Sequence, residues 1–393
     1  MILADRDFPP DIRVEKEART LRNHGREVTI LSGHNGRTPL IDQWDGCRIV
    51  RVPRGGRIME KLLTAGLLVT GYHRKWARAI DETIDRFGIE ALHVHDLSLL
   101  GTAIVIGKRR RIPVVADLHE NYPALVALAR KEPETPWYRK VLNSPRRWRR
   151  YEKRWLHETS RVIVVVEEAR SRLMKYGISK SKITVVENLE DISQFTQFET
   201  DKELVKKYSG DFVVLYVGGI DGPHRGIKTA IEAMPHVCKE IPEASLLIVG
   251  DGYLRFQLEA MASRLPYSER ITFAGWHPLS KVPTFINLSA VCLVPHLSNE
   301  LTESTNPHKL SQYMLLGKPV VVSSCGPLQR VVEKTGAGLV FHEGDSLALA
   351  HAIIRLKDTE TRKKLGEAGR VAVNQYYNWK VSSNNLLMAY DEL

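Results

Sequence analysis

The chain is short of the features that mark several classes of protein. Its four cysteines, Cys47, Cys238, Cys292 and Cys325, are scattered, with no C-x-x-C pair and no histidine cluster at ligand spacing. That excludes a disulfide scaffold and a zinc ribbon, and it fits a reducing compartment. The opening, MILADRDFPP, has no basic segment leading into an apolar one, so it does not read as a secretory signal. The longest apolar run, LLTAGLLVTG at 62–71, is about half the length that spans a bilayer. A cytoplasmic location is expected, with the inner face of the membrane as the place where a tether would hold it. No short-period repeat or low-complexity tract occurs, which sets aside solenoids and disordered chains.

What is present suits a large globular protein. The 393 residues allow about two to three domains, and the 43% hydrophobic content is ordinary. Charge is uneven. Residues 1–195 hold 36 Lys and Arg against 25 Asp and Glu, whereas residues 196–393 hold 21 of each. The whole excess of +11 therefore lies in the first half, concentrated in KRRR (108–111) and RRWRRYEKRW (146–155). One reading is a solvated surface. The other is a surface that meets anionic lipid, an anionic glycan or nucleic acid.

Short apolar runs alternate with helical sequence along the chain. EVTIL (27–31), ALHVH (91–95), PVVAD (113–117) and RVIVVV (161–166) form one series. FVVLYVGG (212–219), SLLIVGDG (245–252), ITFAG (271–275), AVCLVP (290–295), PVVVSS (319–324) and GLVF (338–341) form a second. Near-continuous apolar strands between helices imply parallel sheets covered on both faces. The break near 189–200 implies two such domains, 1–195 and 196–375, with 376–393 as a helix packing back on the first. Ligands of such sheets bind beyond the carboxyl ends of the strands.

Three strand ends draw attention. In YVGGIDGPHRGI, Gly218 and Gly219 are followed by Arg225; the glycines are a plain turn, or they let a backbone approach a phosphate that the arginine neutralises. Gly250, Asp251 and Gly252 repeat the form. In TESTNPHKLSQYMLLGKPVVVSS, Asn306 reads as a helix N-cap and Pro307 as the first helical residue. That helix start is an anion site, with Lys309 and Gln312 on one face, Leu310 and Met314 turned to the core, and Glu303 in the loop before it. A carboxylate, free amides, a lysine and an amide side chain together suit a phosphorylated, hydroxyl-rich ligand. The alternative is a capped helix with solvated polar residues.

These segments, in this order, resemble the GT-B glycosyltransferases of family 4. In the second half the likeness is carried by YVGGIDGPHRGIKTAIEAM, LLIVGDGYLRFQLEAMA, ITFAGWHPLSKVPTFINLSAVCLVP and the 302–324 segment. In the first it is carried by DRDFPPDIRVEKEARTLRNHGREVTIL, LHVHDLSLLGTAI, PVVADLHENYPALV and RRYEKRWLHETSRVIVVVEEARSRLMKYGISKSKITVVEN. The resemblance implies an α/β chain of two Rossmann-like, doubly wound parallel-sheet domains facing across a cleft. It implies that Gly218, Gly219, Arg225 and the backbone at Ser304, Thr305 and Asn306 hold a pyrophosphate, with Gly250, Asp251 and Gly252 beside them and Trp276 and His277 cradling the base. Gly219 stands where the family has an arginine, and Lys309 is the residue that would make up the charge. Glu303 matches the acid that contacts the transferred sugar; Gln312 replaces the glutamate that holds the ribose. His119, after PVVAD, matches a histidine near the reacting carbon. His95 and Asp96 shape the cleft or the acceptor side, and Asp11 and Arg13 fill the loop after the first strand, where the acceptor approaches.

The activity implied is transfer of a sugar from a UDP- or GDP-sugar to a hydroxyl of a glycan or lipid-linked acceptor. Retention at the anomeric carbon, no cofactor and no metal follow from the same likeness, with cell-surface polysaccharide synthesis as the setting. The basic first half favours an anionic membrane surface. No nucleic-acid partner is expected, because the arginines accompany no reading motif. Two rivals are an epimerase on the same architecture and a non-catalytic protein that binds nucleotide sugars.

Overall fold

Runs of Val, Ile and Leu, too short for helices and closed by Gly, Asp or His, form the strands; the amphipathic stretches between them form the helices. The computed structural model describes residues 1–3, 7–34, 36–53, 70–130, 144–195, 197–210 and 212–393, so most of the apolar run at 62–71 lies outside the described residues. No helix among the described residues is long and apolar enough to cross a membrane. The chain divides into two compact units, one of Met1–Glu187 with Ser383–Leu393 and one of Asn188–Ser382.

The first unit is built on an eight-stranded sheet, β1 (Ile2–Leu3), β2 (Thr29–Gly33), β3 (Ile41–Trp44), β4 (Cys47–Val52), β5 (Leu92–His95), β6 (Val114–Leu118), β7 (Arg161–Val164) and β8 (Ile183–Val185). The order across the sheet is β3-β4-β2-β1-β5-β6-β7-β8. All neighbours are parallel except the edge pair β3–β4, an antiparallel hairpin turning at Asp45 and Gly46, both with positive φ. This hairpin departs from the wholly parallel sheet expected, although the Asp-Gly pair between two β-prone runs is its usual sequence signal.

The second sheet is parallel throughout: β9 (Phe212–Val217), β10 (Ala244–Val249), β11 (Ile271–Gly275), β12 (Val291–Val294), β13 (Val320–Ser323) and β14 (Gly338–Phe341), in the order β11-β10-β9-β12-β13-β14. Apolar side chains fill both of its faces. The path of the chain reverses between β9 and β12 here, and between β1 and β5 in the first sheet, so each sheet has its crevice-forming switch point there.

The limits of the units differ from those expected. The division falls at 187 rather than 195, because Leu189 and Phe195 are buried in the core of the second unit. Tyr377 belongs to that core too. The last helix, Trp379–Asp391, joins the first unit only from Ser383 onward, where Asn385 donates to Val185 O at 2.9 Å and Asp391 pairs with Arg26 at 2.7 Å.

Candidate active site

At the carboxyl ends of β5 and β6 the first unit assembles a buried array of charged and titratable groups. The H-V-H of β5 turns His93 and His95 to one face of the sheet, with ring centres 4.5 Å apart, as the two-residue period of a strand requires. Asp117, fully buried on β6, is the hub. It accepts from Arg13 Nη2 at 2.9 Å and Nε at 3.1 Å, and it faces His119 Nε2 at 2.9 Å, His95 Nδ1 at 3.3 Å and His93 Nε2 at 3.4 Å. Arg13 also donates to Val186 O at 3.1 Å. His119 Nε2 lies 3.1 Å from His95 Nδ1, while its Nδ1 faces Asp96 at 3.9 Å. Asp96 itself sits at φ 60°, its N–H donating to Asp117 O at 2.8 Å, an uncommon conformation that aspartate tolerates better than most residues. Tyr390 of the last helix closes the array through a 2.7 Å contact with His93 Nδ1.

The environment sets the protons. Burial opposes charge on His119, but Asp117 and Asp96 override it and lift its pKa to about 9. Burial would raise Asp117, yet Arg13 and His119 hold it well below the usual carboxylate range. Burial, with His93 beside it, drives His95 well below its ordinary value, so its ring is neutral. His119 is therefore an imidazolium with one N–H held inside and one directed towards Asp96.

Glu17, His93, His95 and Asp117 have the composition of a metal site and lie within ligand reach of one another. This corrects the expectation that no histidines cluster. Arg13 Nη2, 2.9 Å from each of the two carboxylates, already supplies the positive charge an ion would bring. The chain also contains one D-x-D triplet, Asp5-Arg6-Asp7. Asp5 and Arg6 lie outside the described residues, and Asp7 is bound to Arg51 at 2.6 Å and Thr38 at 2.9 Å.

In the second unit the switch point is lined by two turns packed backbone to backbone. A Cβ on Gly218, at φ 142°, would stand 2.4 Å from Lys309 Nζ; one on Gly250, at φ 145°, would stand 1.9 Å from Gly218 O. Only glycine fits either place. Gly218 N donates to Val249 O at 2.8 Å and Ile220 N to Asp251 O at 2.9 Å, and Gly252 packs on Ile220. Lys309 Nζ lies 3.8 Å from the centre of the Tyr216 ring and has no hydrogen-bond partner. Its pKa is held well below the ordinary value, first by burial and then by Arg225. His296, two residues after β12, is buried with an unpartnered Nε2, and burial, Lys309, Arg225 and His224 keep it neutral. Basic groups crowded together in this way gain protons when an anion enters.

The remaining expected residues fall as follows. Gly219 O accepts from Tyr216 Oη at 2.9 Å, and the space beside Gly219 is filled by Asp221, which is paired with Arg225 at 2.8 Å; Arg225 is thus a neutralised cation, not an isolated one. Trp276 is 71% exposed, and His277 packs edge-on against Phe285. Asn306 is not the N-cap: the helix runs His308–Leu315, Pro307 precedes it with no side-chain cap, and the Asn306 amide donates to Tyr377. Ser304 Oγ donates to Glu300 O at 2.9 Å, and Thr305 ends a short 3-10 turn. Glu303 accepts from Gly326 N at 3.1 Å and Ser298 Oγ at 2.5 Å, so its carboxylate serves the start of the helix Gly326–Thr335. Leu310 and Met314 are core, as expected. Gln312 donates to Glu190 at 2.9 Å. Asp11 is the N-cap of the helix Ile12–Asn23, which places Arg13 in its first turn and in the interior rather than in an open loop.

Sequence reasoning missed Glu17, Glu190 and His296. His296 was findable, since it follows a strand end, and Glu17 lies four residues after Arg13 on the same helical face. Glu190 left no signal, because its pairing joins segments 122 residues apart.

The two parallel-sheet units have the GT-B architecture. The family described as "Glycosyltransferase Family 4" matches residues 12–194, and that described as "Glycosyl transferases group 1" matches residues 197–372. The chain belongs to this family of GT-B glycosyltransferases. It is similar to the phosphatidyl-myo-inositol mannosyltransferase of Mycobacterium leprae, at 23% identity over 95% of this chain and 90% of that one. Sucrose-phosphate synthase from Thermosynechococcus elongatus superposes with a TM-score of 0.74 at 21% identity, covering 100% of this chain and 98% of that one. Anabaena HepE, solved with UDP-glucose, gives a TM-score of 0.71 at 16% identity, covering 100% and 99%.

Proposed function

We propose that the protein moves a hexose from a UDP- or GDP-sugar to a hydroxyl of a glycan or lipid-linked acceptor, with retention at the anomeric carbon and without a metal ion. The observation that carries this reading is Lys309, a buried amine with no hydrogen-bond partner, aimed at the glycine turn after β9. An unpaired buried polar group costs stability unless something repays it. A diphosphate does so, by restoring the charge that burial removes. As the sugar leaves, negative charge grows on the diphosphate and must be stabilised. Lys309, His296, Arg225 and the uncapped start of the helix at His308 supply that stabilisation from the chain itself.

The other residues divide the substrate among them. Exposed Trp276 offers a face to the base, with His277 fixing the turn, and Gly250, Asp251 and Gly252 support the phosphate turn. Gln312 with Glu190 meets the ribose hydroxyls. Glu303 meets the sugar by exchanging its bond to Gly326, and Ser304, Thr305 and Asn306 frame it. The His119 imidazolium donates to the reacting sugar or the departing phosphate, and Asp11, Arg13, His95 and Asp96 shape the acceptor side. The UDP-glucose bound by Anabaena HepE supports the donor class, and the lipid named in the mycobacterial relative supports a lipid acceptor.

A membrane-facing location is supported by the helix Pro145–Glu158. Arg146, Arg147, Arg150, Lys153 and Arg154 are exposed on it and form no ion pair with a described residue. Lys108, Arg109 and Arg110 are instead neutralised by Glu158, Asp81 and Asp85.

The test is a thermal-shift screen of UDP-, GDP- and ADP-sugars, followed by a hydrolysis and transfer assay with the one that stabilises. Stabilisation by one nucleotide class with turnover upholds the reading. A flat screen, or binding with no turnover in the presence of lipid and glycan acceptors, overturns it.

A further inference from the structure

Tyr216, near the end of β9, is fully buried, and it touches both the glycine turn and the helix beside it. Its Oη donates to Gly219 O at 2.9 Å. The centre of its ring lies 3.8 Å from Lys309 Nζ, an amine with no hydrogen-bond partner. Gly218 lies against both contacts: a Cβ there would stand 3.5 Å from Tyr216 Oη and 2.4 Å from Lys309 Nζ. One helical turn beyond Lys309, Tyr313 Oη accepts from Val217 N at 2.8 Å, which ties the helix His308–Leu315 to the same strand end. Burial pushes the Tyr216 phenol pKa up, so the hydroxyl keeps its proton and stays a donor. Phenylalanine would fill the core around β9 equally well, so packing alone does not account for the hydroxyl.

We propose that Tyr216 is a positioning residue of the donor site: its hydroxyl holds the Gly218–Gly219 turn and its ring face holds Lys309, which keeps the amine at one distance from the turn. The inference rests on the donor reading of this site given under the proposed function. A lysine amine sits on a flexible four-carbon stem, and one that bonds to nothing has little to fix it in place. The negative face of an aromatic ring fixes it, and that face attracts an ammonium more strongly than a neutral amine. When a diphosphate enters, the amine takes up a proton and the ring shares in holding the charge. Of the other ionisable groups here, Arg225 opposes a proton on Lys309, Asp221 favours one, and His296 is kept neutral beside them. All three stay the same in a variant altered only in the ring.

The test is Tyr216→Phe, followed by phenylalanine carrying one, two and three ring fluorines at the same position, which drain negative charge from the ring face with little change of shape. Protein labelled with 15N at lysine, titrated by NMR without donor, should show the Lys309 pKa falling with each fluorine. Calorimetry with UDP and GDP should show the affinity for whichever binds falling about threefold or more across the series, with no such trend in a Lys309→Met background. Tyr216→Phe itself should weaken the diphosphate more than the matching monophosphate, because the turn loses its brace; equal losses would overturn the part given to the hydroxyl. If Tyr216→Phe does not fold, fluorotyrosines at 216 keep the hydroxyl and give the same titration and affinity series. An amine titration unchanged across the series, or a nucleotide affinity that ignores it, overturns the proposal and leaves the functional reading standing. Binding of neither UDP nor GDP to the unaltered protein overturns the functional reading, and the donor-site role of Tyr216 falls with it.

Discussion

Gln312 Nε2 donates to Glu190 Oε2 across 2.9 Å, which brings a carboxylate to the helix His308–Leu315 from a segment 122 residues earlier. The family resemblance implies a glutamate at 312, where the sequence has a glutamine. The fold replaces its charge from elsewhere, and the amide orients it.

Glu190→Ala should therefore weaken nucleoside diphosphate binding about tenfold and lower stability by about 1–3 kcal/mol, because the buried Gln312 amide loses its partner. Calorimetry with a 2′,3′-dideoxy nucleotide separates the two effects. That ligand should bind the variant and the unaltered protein alike.

Lys309→Met tests the anion reading in the opposite direction. Removing an unpaired buried amine should leave stability unchanged or raise it by about 1 kcal/mol, while nucleoside diphosphate affinity falls by at least about tenfold. Titration calorimetry in buffers of different ionisation heat should also show proton uptake near pH 7 in the unaltered protein, and less of it in the variant. The direction follows from the depressed pKa values of Lys309 and His296, which an entering anion raises.

The raised pKa of His119 makes stability depend on pH with a definite sign. Its folded value, about 9, exceeds its ordinary 6.5, so its contribution is complete below pH 6.5 and lost as pH rises through 9. Glu17 acts with the same sign, but its contribution is spent by about pH 8. Denaturant unfolding at pH 8 and pH 9 should thus show a loss in the unaltered protein, about 1 kcal/mol per pH unit, that is absent in His119→Gln. Asp117 works the other way, and its stabilisation disappears as pH falls through its depressed folded value.

The basic segments also make separable predictions. Changing Arg147, Arg150 and Arg154 to serine should cost about 1 kcal/mol each in binding to phosphatidylserine vesicles, measured by flotation. Changing Arg109 and Arg110 should cost little, since Asp81 and Asp85 already pair with them. Equal flotation of the unaltered protein with neutral and anionic vesicles would remove membrane contact from the functional reading.

The second sheet was legible strand by strand because its buried parallel strands are runs such as VVLYV or VVVS that cannot be mistaken for an amphipathic helix. In the first sheet β2, β5, β6 and β7 were legible in the same way, whereas β1 and β8, of two and three residues, are too short to leave such a run. The β3–β4 hairpin was not read, as its exposed edge strand, IDQW, has no apolar run. At the candidate site, residue types were readable and commitments were not. Sequence spacing cannot show that Glu303 is bound to Gly326 N, that Arg225 is neutralised by Asp221, or that Arg13 points inward. Each of these depends on which neighbour the fold brings within 3 Å or so, and that is decided by pairings across distant segments.

Because residues 383–393 complete the first unit, that unit is not continuous in the chain. During synthesis the histidine-rich array would wait for Tyr390, made nearly three hundred residues after His93, before its phenol could reach the ring. A fragment ending at Glu187 would carry all three histidines of the array yet lack the Tyr390 phenol, and a peptide of the last helix added in trans should restore it.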